Sequence, residues 1–192
     1  MANLLNAQEL IVEAGLLADD LRQSNAIAVG PAIPQPAAYK KDLEQHLAEV
    51  PKNGFRSFKV TTDISRRTNG CVGIGMLIRR PDGSITPYGI KVQNGNRISR
   101  HPHELELFSV MVALKLLRPE IQNRHVVVMR SDAYTQLEGA AKTPSNEMQT
   151  ALHQMLTGLP CDLCLLEYVS SYCIPNPNFN WQHYLTVNSY CI

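Results

Sequence analysis

The chain has 192 residues, 44% hydrophobic and 18% charged, proportions that exclude a disordered or coiled-coil protein and leave room for one domain of ordinary size plus an appendage. A formal net charge of +1 supplies no overall field to recruit nucleic acid, so such a partner must be held by a local basic patch. No apolar run approaches the ~20 residues needed to span a bilayer. Five cysteines at irregular spacing (Cys71, Cys161, Cys164, Cys173 and Cys191), with no signal peptide ahead of them, point to a reducing, cytoplasmic-type compartment.

Residues 1–50 differ in pattern from the remainder of the chain. Ala7 to Gln23 reads as an amphipathic helix with Leu10, Ile11, Ala14, Leu17 and Leu21 on one stripe. Gly30-Pro31-Ala32-Ile33-Pro34-Gln35-Pro36 cannot continue a helix and reads as an extended linker. A shorter charged helix, Ala38 to Val50, comes next. This arm is expected to pack on the main domain or on a second copy of the chain, or else to dock a partner or grip a substrate.

From residue 55 the pattern becomes regular. Phe58 to Ile64 alternates as a half-buried strand does, Cys71 to Ile78 is a second strand and Ile85 to Val92 a third. Arg80-Pro81-Asp82-Gly83-Ser84 is a tight turn between the last two, and Asn94-Gly95-Asn96 is a further turn. A helix follows His101-Pro102-His103, with Pro and Glu104 both favourable in its first turn. Its body to Leu117 is apolar nearly all round, as for a helix covered on two sides, and Pro119 stops it. The apolar run Val126 to Met129 marks a central strand of a covered sheet. Ala133 to Ala141 and Ser145 to Leu156, the latter opened by Pro144, are short helices, and Leu163 to Val169 is the last strand. In outline this is an α/β chain whose mixed sheet carries helices on its faces.

Three carboxylates occur on successive elements. Asp132, directly before a helix, suits a cap as well as a ligand. Asp63 lies in a strand, where Asp is disfavoured, with Lys59 and Thr61 on its own face. Glu106 shares a helix stripe with Ser109, Val110 and Ala113, where a partly desolvated carboxylate is costly unless a cation or a donor meets it. Glu104 shares its stripe with Phe108, Met111 and Lys115, so Glu106 is the ligand candidate. Hard oxygen ligands at this density select Mg²⁺ or Mn²⁺ over zinc. Cys161-Asp162-Leu163-Cys164 has metal-ligand spacing, but without a second such pair it reads as two small residues opening a buried strand. His101 and His103 read as surface polar groups rather than ligands.

Phe58-Lys59-Val60-Thr61-Thr62-Asp63-Ile64-Ser65 resembles the first strand of type I ribonuclease H. Leu105 to Leu114 is similar to that family's E-L-x-A-x-x-x-A-L helix, and Val126 to Tyr134 to its strand ending in S/T-D-S-x-Y. The resemblance covers residues 55–188 and leaves the arm outside. It implies a ribonuclease H-like domain at 55–192, with three antiparallel strands followed by parallel ones in a five-stranded mixed sheet. It also implies two Mg²⁺ or Mn²⁺ ions on Asp63, Glu106 and Asp132, and hydrolysis of the RNA strand of RNA–DNA hybrids by a two-metal mechanism.

The family's fourth acid, after a loop resembling S-H-x-G-x-x-G-N-E-x-x-D, has no counterpart. Tyr172 stands where the loop histidine would be, Gln182 or His183 where the acid would be, and no Asp or Glu follows Glu167. A His or Gln still ligates a metal or orients a water, so His183 joins the catalytic candidates. Arg66, Arg67 and Asn69 lie in the first hairpin loop, where the arginines either grip phosphates or form a solvated turn. Tyr134, Trp181 and His183 are candidate nucleic-acid contacts by stacking and phosphate contact, although a tryptophan such as Trp181 is more often the anchor of a C-terminal helix on the sheet. Two other functions remain open: a non-catalytic module binding nucleic acid or protein, and a resolvase- or integrase-like nuclease acting on DNA.

Overall fold

The computed structural model describes residues 3–23, 56–122, 125–131, 133–161 and 163–168. In chain order the elements are α1 (Ala7–Gln23), β1 (Arg56–Arg66), β2 (Val72–Arg79), β3 (Ile85–Val92), α2 (Gly95–Ile98), α3 (Pro102–Leu117), β4 (His125–Ser131), α4 (Tyr134–Lys142), α5 (Glu147–Thr157) and β5 (Leu163–Tyr168). The five strands form one sheet in the order β3-β2-β1-β4-β5. β1, β2 and β3 pair antiparallel through short turns. β4 pairs parallel with β1 and with β5, and helices supply the long crossovers that parallel pairing requires. This is the mixed sheet that the sequence predicts.

Turn chemistry fixes the meander. In the β2–β3 turn Gly83 takes φ +85°, a region open to glycine at no cost, and the Arg80 N–H donates to the Ser84 carbonyl at 2.8 Å. Asp82 Oδ1 accepts from the Ser84 N–H at 2.8 Å, and hydrogen bonds from Ser84 hold the Asp82 carboxyl below its ordinary range. The Arg80 guanidinium spans Glu120, at 2.6 and 3.0 Å, and also donates to Thr86 Oγ1 and Tyr88 Oη at 2.7 and 3.1 Å. The hydrogen bond to Glu120 is the main reason its pKa is raised. This fork ties the hairpin to the chain just beyond α3.

Strand alternation sends Phe58, Val60, Ile74, Met76, Ile78, Val127 and Met129 to one face, each almost wholly buried. α3 lies across that face, and every residue from Leu105 to Leu117 except Lys115 is buried. Its other side is covered by α1 and α5, which accounts for its nearly continuous apolar sequence.

α1 is therefore part of this core and packs on its own domain. Ala7, Leu10, Ala14, Leu17, Ala18 and Leu21 are buried, while Ile11, predicted on the same stripe, sits half-buried at its border. Asn6 and Glu9 form a reciprocal capping box, Asn6 N–H to Glu9 Oε2 at 2.9 Å and Glu9 N–H to Asn6 Oδ1 at 3.0 Å. The Leu5 N–H donates to the Arg97 carbonyl at 3.1 Å, and the Ala7 N–H to Glu147 Oε2 at 2.7 Å. At the other end Arg22 donates to the carbonyls of Lys115 and Leu116, groups that a terminating helix leaves unpaired. α1 thus runs alongside α3 in the same direction and is fastened at both ends.

Two local expectations change. The helix expected from Ser145 begins at Glu147, because Asn146 caps it by accepting the Gln149 N–H at 2.8 Å. The expected turn at Asn94-Gly95-Asn96 becomes the short helix α2. Here the Gly95 N–H donates to the Gly70 carbonyl at 3.0 Å, and a Cβ at Gly95 would overlap Val72 Cγ2. The close approach of the β1–β2 loop selects glycine and folds the segment against it. The linker at 30–36, the helix expected at 38–50 and the tail with Tyr172, Trp181, Gln182 and His183 lie outside the described residues.

Candidate metal centre and its basic border

Asp63 stands near the end of β1, where cover gives way: residues 58–62 are buried, 63–65 half-buried and Arg66 exposed. It pairs in register with Gly75 of β2. A side chain here leaves the packed part of the sheet without entering bulk water, a position suited to meeting a ligand. Its neighbour Thr62 is 2% exposed, and the Thr62 Oγ1 finds no hydrogen-bond partner.

Glu106 lies one turn into α3 and is 8% exposed, between Leu105 and Leu107 and on a stripe with Ser109, Val110 and Ala113, all buried. Ser109 Oγ donates to the Glu106 carbonyl at 2.7 Å. Glu106 takes part in an interaction, and its Oε2 atom is enclosed by protein and accepts no hydrogen bond. The neighbouring acid is used differently. Glu104 accepts from Ser99 Oγ and, at 3.4 Å, from Asn146 Nδ2, so it joins the approach to α3 to the cap of α5. The helix stripes read from the sequence separate these two carboxylates in the same way.

α3 packs across β1, so the elements bearing Asp63 and Glu106 are in contact. Asp132 lies outside the described residues, between Ser131 at the end of β4 and Ala133. Among the described residues no group of three or more His, Cys, Asp and Glu side chains is placed to hold a metal ion. Carboxylate oxygens are the donors that a hard cation such as Mg²⁺ or Mn²⁺ prefers, and Glu106 offers one such group from a buried position. Tyr134 opens α4, and its side chain lies outside the described residues.

The loop residues acquire a role that their sequence did not indicate. Arg66 donates from one terminal nitrogen to the Arg100 carbonyl at 2.8 Å and from the other to Asn96 Oδ1 at 2.6 Å. It brackets the end of β1 to Asn96 of α2 and to the α2–α3 connection while its side chain stays exposed. Asn69 Oδ1 accepts the Cys71 N–H at 3.0 Å and shapes its own turn, in which Gly70 takes φ +83°. Arg67 is exposed. His101 and His103 are exposed at the entry of α3, as expected of surface groups. Arg100, not singled out from sequence, is brought beside Arg66 by this bracket, and the run Arg100-His101-Pro102-His103 was the only signal for it.

The sheet order, the crossovers and the position of α3 define a divergent ribonuclease H-like fold. Among solved structures the chain is similar to ribonuclease H1 from the halophilic archaeon Halobacterium salinarum NRC-1, with TM-score 0.51 at 17% identity over 70% of this chain and 98% of that one. It is also similar to LC11-RNase H1 in complex with an RNA/DNA hybrid, with TM-score 0.49 at 16% identity over 69% and 95% of the two chains. A third likeness is to the N-terminal ribonuclease H domain of Rv2228c from Mycobacterium tuberculosis, with TM-score 0.48 at 14% identity over 69% and 98%. The first carries the fold assignment. No protein-family model and no curated protein sequence matches the chain.

Proposed function

We propose that this protein is a divalent-metal-dependent nuclease that hydrolyses the RNA strand of RNA–DNA hybrids. The carrying observation is Glu106, a carboxylate buried on an apolar helix that packs across the strand bearing Asp63. Asp132 completes the proposed set. It follows β4 directly, and the sequence offset from Asp63 to Asp132 equals that of every β1–β4 pair, from Arg56 with His125 to Thr61 with Arg130. These three residues would hold Mg²⁺ or Mn²⁺, which when bound supplies an activated water and charge stabilisation at the leaving 3′-oxygen. Burial keeps Glu106 dehydrated and fixed in direction, so its ligating geometry is set before substrate arrives. His183 or Gln182 would take the place of the absent fourth acid.

The test is cleavage of a labelled hybrid with Mg²⁺ or Mn²⁺, alongside duplex DNA and branched DNA. Hybrid is expected to be cut preferentially, and Asp63→Asn and Asp132→Asn to abolish cutting. No metal-dependent cleavage of any substrate, or cleavage that survives both substitutions, would refute the proposal. One observation favours a second reading, a binding module that does not cut: no Asp or Glu follows Glu167.

A further inference from the structure

We infer that Thr62 is a positioning residue for Glu106: in the metal-loaded protein its hydroxyl donates to the Glu106 carboxylate and fixes the direction from which that group meets the ion. This rests on the reading of Asp63, Glu106 and Asp132 as a metal centre; what it adds is drawn from the place of Thr62 in the fold.

Thr62 is 2% exposed, and among the described residues its Oγ1 has no hydrogen-bond partner. β1 pairs with β2 in unbroken register from Lys59 to Arg66, so alternation carries Thr62 to the face of Phe58 and Val60, which α3 covers. Glu106 lies on the side of α3 turned to that face. The opposite side is marked by Glu104, which meets Asn146 at the cap of α5, and by Lys115, whose side chain lies against Gly15 of α1. Glu106 is two positions from Glu104, ~200° around the helix axis, and so is turned toward β1. Its level along the strand is set at both ends of the helix. Arg66 donates to the Arg100 carbonyl just before α3, and Arg80, next to the Arg79 that pairs with Lys59, holds Glu120 just after it. α3 therefore runs antiparallel to β1, and Pro102–Leu117 matches Lys59–Arg66 in length, roughly 23 Å at ~1.5 and ~3.3 Å per residue. Glu106, one turn in, comes level with residues 62–64, where the side chains on the facing side of β1 are Thr62 and Ile64. Only Thr62 offers a polar atom.

A hydroxyl enclosed without a partner is costly, and valine, of nearly the same shape, would suit the same strand position without that cost. A threonine here is accounted for by an acceptor that reaches it when the site is filled. Glu106 takes part in an interaction here, and the several lone-pair sites of a carboxylate accept a further donor beside it. Hydrogen bonds of this kind orient metal ligands, and losing one typically lowers metal affinity 10–100-fold. Thr62 directly precedes Asp63, which keeps the donor beside the ligand set.

Binding of Mg²⁺ and Mn²⁺ is measured by titration calorimetry, and thermal unfolding in EDTA by circular dichroism, for wild type, Thr62→Val, Thr62→Ser and Asp63→Asn. Thr62→Val keeps the shape and removes the hydroxyl. It is expected to melt at or above the wild-type temperature in EDTA and to bind metal about 10–100-fold more weakly. Thr62→Ser keeps the hydroxyl and loses a buried methyl. It is expected to melt below the wild type and to bind metal as the wild type does. A side chain that only supports packing would move affinity and stability together. Wild-type metal affinity in Thr62→Val, an equal loss in Thr62→Ser, or a Thr62→Val protein that melts well below the wild type or fails to fold would overturn the inference. If Asp63→Asn abolishes binding while Thr62→Val leaves it unchanged, the metal centre stands and the role of Thr62 falls. No metal binding by the wild type would overturn both.

Discussion

Glu106 shows how one atom's surroundings decide a residue's meaning. Its carboxylate is 8% exposed in a helix otherwise apolar over most of its length, where a charge is costly unless a cation or a donor meets it. We predict that Glu106→Gln, an uncharged near-isostere, still folds and melts in one cooperative transition in EDTA. Millimolar Mg²⁺ should raise the wild-type midpoint, by about 2–4 °C per kcal/mol of binding at this chain length, and leave the variant unmoved. Calorimetry with and without metal reads both effects, and an equal response of the two proteins would remove Glu106 from the ligand set. Arg66 carries the opposite lesson. Its sequence neighbourhood offered phosphate contact or a solvated turn, yet its partners Asn96 and Arg100 lie about thirty positions away, and no local pattern records them.

Among the elements, α1 and α3 form the pair on which the helical layer depends. α3 was legible from sequence because its signals are local: Pro102 at the first turn, Glu104 behind it and an apolar run to Leu117. α1 was legible as a helix and as a stripe, because Leu10, Ala14, Leu17 and Leu21 repeat at helical spacing. What lay against that stripe was not legible, since an amphipathic face states only that it needs a partner. The structure supplies α3 and α5. Leu10 is 1% exposed, so Leu10→Ala is predicted to cost about 2–5 kcal/mol in urea denaturation. A mobile arm would lose almost nothing. The segment Asn94-Gly95-Asn96 failed as a sequence reading for a related reason: its residues favour turns locally, and only the approach of Gly70 and Val72 makes them a helical turn.

For the molecule as a whole, the ribonuclease H-like sheet and its α3 are joined by a helix from the N-terminal segment that is capped, buried along one face and fastened at both ends. Deletion of residues 1–23 is predicted to expose the apolar sides of α3 and α5 and to abolish a single cooperative unfolding transition, as followed by circular dichroism and binding of a hydrophobic dye. Cooperative unfolding at an unchanged midpoint would show that α1 is dispensable. The Halobacterium ribonuclease H1 is matched over 98% of its length while 70% of this chain is covered, so this chain carries the common fold together with additional sequence.

The sequence alone determined the alternation of β1, the closed turn at Gly83, the buried character of α3, and the order in which Asp63, Glu106 and Asp132 occur. Each of these depends on interactions within a few residues, where periodicity and propensity act. Tertiary structure alone decided that β1 lies between β2 and β4, that α1 closes the layer over α3, and that Arg66 joins the β1–β2 loop to the entry of α3. Those outcomes depend on contacts between residues tens of positions apart, whose energies follow from shape and register after collapse and leave no mark on either segment by itself.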